Sequence, residues 1–190
     1  MLKIKSGDTV FELKNSLDEF LIGEFQHICT ILNDTDVTKT KIDKWSEVFI
    51  FLGLPREICE ELDAFYFIEI MKSFELIGDT SEEMINEFQI DGYTYVSFDD
   101  KLKITIKEMA FIESFIEKGD MSYVSDMMAV LFKRTDLTRV EHLDKAHIKQ
   151  KSKLIKENIK ANVAMPYVSF LFKKLMINVD VTQDLINGGI

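Results

Sequence analysis

Proline, glycine and cysteine are scarce in this chain. Two prolines and eight glycines in 190 residues exclude a collagen-like repeat or a proline-rich linker, and no Ser/Gly/Pro-rich stretch divides the sequence. The two cysteines, Cys29 and Cys59, are too few for a disulfide framework. Both fall at apolar helical positions, where they read as small buried hydrophobes of a reducing compartment. Long apolar runs are missing as well. The stretch from Phe65 to Ile77 carries Glu69, Lys72 and Glu75 and falls short of the roughly 20 residues of a membrane span. The N-terminal "MLKIKSGDTVFEL" has no apolar core of a secretory signal, so a cytosolic site of synthesis is expected.

Catalytic signatures are also lacking. There is no glycine-rich phosphate loop, no His-Glu-x-x-His, no CxxC pair and no Gly-x-Ser-x-Gly elbow. His142 and His147 are five residues apart, which on one helix points them about 140° from each other and prevents joint chelation. They read as surface histidines. Asp99 and Asp100 can bind a hard cation or act as an acid/base pair, but adjacent acids after a strand read first as a solvated turn, with no third ligand. The sequence therefore assigns no catalytic residue, no cofactor and no metal site, and the chain reads as non-enzymatic.

What is present is apolar and unevenly charged. At 46% apolar residues the chain has enough hydrophobic content for one or two packed cores. Residues 1–90 hold 8 Lys/Arg against 19 Asp/Glu, whereas residues 91–190 hold 15 against 14. The basic charge gathers between Lys133 and Lys160, where nine Lys/Arg meet four Asp/Glu. Such asymmetry marks a nucleic-acid surface, a head-to-tail protein contact or a solvated helix face.

Two stretches share a plan. "MLKIKSGDTVFEL" alternates around Ser6-Gly7, and "EFQIDGYTYVSF" alternates around Asp91-Gly92, a dipeptide suited to a tight hairpin. Aligning Gly7 with Gly92 and Thr9 with Thr94 gives an offset of 85. A helical stripe follows each hairpin: Ile22, Phe25, Ile28, Cys29 and Leu32, then Ile106, Met109, Ile112, Glu113 and Ile116 at an offset of 84. Thr105-x-x-Glu108 is a capping box. The first copy has Leu21 in the cap position, which predicts a looser start. A third stripe, Ile42, Trp45, Val48, Phe49 and Leu52, recurs as Met121, Val124, Met127, Met128 and Leu131 at an offset of 79. Three elements in the same order indicate internal duplication. The expected fold is α+β and mainly helical, with an acidic hairpin-helical unit over residues 1–80 and a second unit over 81–190.

Beyond these elements the halves diverge. The first continues through Pro55 at a first helical turn and a broad core face from Phe65 to Leu76. The second adds a long basic helix opened by Thr138-x-x-Glu141 and running to about Ala164, after which Pro166 opens an apolar stripe over Val168, Leu171, Phe172, Leu175 and Met176. The tail "NVDVTQDLINGGI" carries weak signals. Lys145, Lys149, Lys153, Lys156 and Lys160 recur at helical spacing and are the candidate partner-binding residues. They can line a phosphate backbone. However, the stretch has no aromatics and the chain is net −10, which favours other protein subunits or further copies of this chain over nucleic acid. The alternative is a cytosolic nucleic-acid-associated or regulatory protein using residues 145–160. Met121, Met127 and Met128 sit at core spacing rather than on an adaptable binding face.

The run "TIKEMAFIESFIEKGDMSYVSDMMAVLFKR", residues 105–134, resembles a pattern in small proteins of tailed-bacteriophage structural gene clusters. Its features here are Thr105, Glu108, the turn Gly119-Asp120, the apolar Ala129 to Phe132 and the basic Lys133-Arg134. The resemblance implies a tail or neck component or an assembly chaperone, made in the host cytoplasm and present in the virion or its assembly intermediates.

Overall fold

The computed structural model describes residues 1–74, 84–97, 104–116 and 123–171. Among them the chain is a mainly helical α+β protein, with nine helices and two small antiparallel sheets. The first unit opens with a hairpin of β1 (Leu2–Ser6) and β2 (Thr9–Leu13), in which Ile4 faces Phe11. Helices α1 (Ile22–Leu32), α2 (Lys41–Phe51), α3 (Arg56–Glu61) and α4 (Ala64–Lys72) follow. Thr40 caps α2 and Asp63 caps α4, each taking up backbone N–H groups that have no partner within the helix. The core of this unit is aromatic. Phe49 is fully buried, with ring centroids 5.0 Å from Phe67, 5.5 Å from Phe74 and 5.8 Å from Trp45.

The second unit repeats the plan. β3 (Glu87–Ile90) and β4 (Tyr93–Ser97) form its hairpin, α5 (Ile106–Ile116) follows, and α6 (Val124–Leu131) comes next. Helices α1 and α5 have the same length, 11 residues, and begin and end 84 positions apart. The hairpins obey this offset too, which corrects the value of 85. The two-residue loops are Gly7-Asp8 and Asp91-Gly92, closed by Ser6↔Thr9 and by Ile90↔Tyr93. Gly7 is thus equivalent to Asp91, not to Gly92. Gly7 (φ +58°) alone takes a left-handed conformation in the first loop, whereas Asp91 (φ +51°) and Gly92 (φ +77°) both do in the second. These are the patterns of II′ and I′ turns, so the shared glycine serves different turn positions. A one-residue slip inverts the faces of a strand. Only at 84 do the inward Ile4 and Phe11 correspond to Phe88 and Tyr95, which face each other and stack with centroids 5.2 Å apart.

Helix α6 is the centre of the second core. Val124, Ser125 and every residue from Met127 to Leu131 are buried, and Phe49 and Met128 are both core residues. Met127 and Met128 are therefore packing groups. At Phe132 the chain turns extended and adds β5 (Phe132–Arg134) to the edge of β4, where Phe132 lies against Phe88 and Tyr167. The open edge of β4 supplies the backbone partners that a further helical turn forgoes.

The predicted long polar helix is three helices. α7 (Arg139–His142) opens at the Thr138/Glu141 capping box, α8 (Lys145–Asn158) restarts at Asp144, and α9 covers 161–171. Asp144 breaks the first junction because its carboxylate accepts from the N–H groups of Ala146 and His147. The second break is an extended Ile159, followed by a bridge between Lys160 and Leu21. Pro166 lies inside α9 instead of opening it. Around this break the Ile22 N–H donates to the Ile159 carbonyl at 2.9 Å and the Ala161 N–H to the Phe20 carbonyl at 2.9 Å. Leu21 supplies no side-chain cap, yet Glu24 accepts from its N–H at 2.8 Å. The start of α1 is thus held by the second unit, contrary to the looser start expected.

Further inward assignments are corrected. Ile106 is 91% exposed although its counterpart Ile22 is fully buried, because residues 159–161 cover only the latter. Ile42 and Phe65 are exposed, so α4 has a narrow inward stripe of Phe67 and Ile70. Cys59 is buried and Cys29 half-buried, and no disulfide joins them. Met121, Asp99 and Asp100, the 80/81 boundary and the C-terminal tail lie outside the described residues.

Candidate functional site

Helix α8 presents two chemically different faces. Ile148, Lys151, Ser152 and Ile155 recur at helical spacing and point inward, while Lys145, Lys149, Lys153 and Lys156 stay exposed. The five predicted lysines do not form one stripe. Lys145 and Lys149 border a groove of about 490 Å³ floored by Phe111 and Ile148, with Asp126 on its wall. Lys153 and Lys156 border a second groove, of about 510 Å³, with Leu21 and Phe51 as its apolar part. Among the described residues, no carboxylate pairs with Lys145, Lys149 or Lys156, and Lys153 approaches Glu157 only to 4.0 Å. Lys160 lies beyond the end of α8 and donates to the Glu19 carbonyl at 2.8 Å, so it fastens the second unit to the first.

Lys151 is the residue that sequence reasoning missed. Its Nζ donates to the Phe132 carbonyl at 2.8 Å and to His142 Nδ1 at 2.7 Å. His142 Nε2 lies 2.9 Å from the Val130 carbonyl. A carbonyl only accepts, which fixes the imidazole as the Nε2–H tautomer with Nδ1 as acceptor. His142 is fully buried, which corrects its reading as a surface histidine. Burial, then the Lys151 charge, lower its pKa to about 4. Burial likewise lowers the Lys151 pKa to about 7, helped by the neighbouring Arg134. The signal for Lys151 was its place in the helical period, three residues after Ile148 and four before Ile155.

Lys151 and Arg134 both line a cavity of about 180 Å³ between α8 and the β3–β4–β5 sheet. Its wall includes Tyr93 and Tyr95 of β4 and Leu154 of α8. The Arg134 guanidinium carbon stands 4.2 Å from the centre of the Tyr93 ring, a cation–π arrangement, and its Nε donates to Asp136 at 2.6 Å. No group of three His, Cys, Asp or Glu suited to a metal ion occurs among the described residues. No helix among them is long and apolar enough to cross a membrane. No protein-family model, curated protein or solved structure matches the chain.

Proposed function

We propose that this chain is a non-enzymatic interaction protein, a structural component or assembly factor of a tailed-phage particle, that engages an acidic protein surface through the exposed face of α8. One observation carries the reading: four exposed lysines on a single helix flank two grooves that are apolar in part, through Phe111 and Ile148 in one and Leu21 and Phe51 in the other. Cations bordering an apolar groove suit an amphipathic acidic helix, whose apolar side is buried while its carboxylates meet the rim. A nucleic-acid duplex turns its phosphates outward and presents no apolar side to such a groove. The chain is also net −10, and that field disfavours the approach of a polyanion beyond the range of the local lysines. Other virion subunits or the acidic first unit of a second copy supply the required chemistry. The tailed-phage setting rests on the resemblance in residues 105–134.

The test is Lys145→Glu/Lys149→Glu/Lys153→Glu, which leaves Lys156 in place because its side chain packs against Gly23. Self-association or co-assembly, read by sedimentation and co-purification, is expected to weaken at least tenfold. Folding stability is expected to change by no more than about 1 kcal/mol per exposed charge. Tight binding of a random-sequence duplex by the wild type at low salt, lost in the variant with sedimentation unchanged, overturns the proposal in favour of a nucleic-acid role.

A further inference from the structure

A lysine withdrawn from water usually has a carboxylate to meet it. Lys151 is 6% exposed, yet its Nζ meets a carbonyl and a neutral imidazole, and no ion pair to it exists among the described residues. A second cation, Arg134, comes from a different element and faces the same cavity. Two like charges brought to one partly desolvated space repel each other. The chain tolerates that arrangement although His142 and the Phe132 carbonyl ask only for a neutral donor. We propose that the cavity between α8 and the β3–β4–β5 sheet binds a small oxyanion, a phosphate or carboxylate group, through Lys151 and Arg134.

Shape and charge agree with this assignment. A volume of about 180 Å³ is many times the minimum that one water needs. It admits a phosphate or a compact carboxylate and is below the roughly 300 Å³ at which sites for larger ligands begin. Arg134 donates to the Tyr95 hydroxyl and to Asp136, and its remaining guanidinium N–H groups are donors suited to an oxyanion rather than to a halide. Asp91 also lines the cavity, but it is exposed at the hairpin tip, where water screens its charge. Asp136 is held at the Nε of Arg134. Glu108 is also buried and its charge reaches His142, but its carboxylate accepts from Thr105 and it does not line the cavity, which leaves Lys151 as the buried charge on the wall.

The experiment measures thermal shift and calorimetric binding on the full chain at pH 6 and low chloride, where Lys151 carries its proton. The probes are inorganic phosphate and benzoate. At least one of them is expected to raise the melting temperature with concentration, and the responding probe identifies the head group. Binding is expected to weaken at least tenfold in both Lys151→Met and Arg134→Gln and to be unchanged in Lys149→Met, on the exposed face of the same helix. If Lys151→Met does not fold, as judged by circular dichroism, Arg134→Gln decides alone. Equal stabilisation of the wild type and the variants marks general salt exclusion from the surface and overturns the proposal, as does no response to either anion at about 50 mM.

Discussion

Burying Lys151 ties the stability of the protein to pH. The folded-state pKa of about 7 lies below the ordinary 10.5. Between these values the unfolded chain holds a proton that the folded chain has released, so unfolding takes up a proton and stability rises with pH across that window. His142 is already neutral there, its own pKa being held at about 4 by burial and by the Lys151 charge. The melting temperature of the wild type relative to Lys151→Met is therefore expected to increase from pH 7 to pH 10 in thermal scans. Parallel curves for the two proteins rule this account out. At this scale the sequence was legible wherever the partner is local. The boxes Thr105/Glu108 and Thr138/Glu141 both form. His142 was not, because its partners Val130 and Lys151 reach it from two other elements, α6 and α8.

Helices α1, α6 and α8 meet at a small polar knot. Gln26 Nε2 lies 3.2 Å from Ser125 Oγ, and Ser152 Oγ lies 3.1 Å from the same oxygen, all three residues being buried. Small and polar residues allow the helices to approach closely, and Gly23 marks one point of close approach between α1 and α8. A Cβ added there meets Lys156 Cγ at 2.7 Å and the Lys156 carbonyl at 3.0 Å. The side chain can swing away, but the carbonyl belongs to the backbone of α8. Gly23→Ala is therefore expected to destabilise by about 1–3 kcal/mol in chemical denaturation, through overpacking that outweighs the higher helix propensity of alanine. A stabilised variant contradicts the close approach. Helical stripes such as Phe25–Ile28 and Val48–Phe49 were readable from their period. The breaks at Asp144 and Ile159 were not, since a 3.6-residue pattern continues across a junction whenever both sides are amphipathic.

The two units each have a core, and the cores exchange residues. Ile22 of the first unit packs in the second core, while Ala161 and Met165 pack in the first. Unfolding is therefore expected to be one transition. Fluorescence of Trp45, the single tryptophan, reports the first core, and hydrogen exchange of the α6 amides reports the second. Their denaturant midpoints are expected to coincide, and a separation of the two shows independent domains. The repeat was legible because hairpin, helix and helix recur in order. The seam was not, because the bridge between Leu21 and Lys160 follows no period. That seam also governs when the fold can be completed. The Lys160–Glu19 bond spans 141 residues of sequence, a large separation for so short a chain, and loop closure over that distance precedes any reward from the contacts it makes. During synthesis the hairpin and α1 emerge long before residues 159–161, so the N-terminal face of α1 waits uncovered until those residues have left the ribosome.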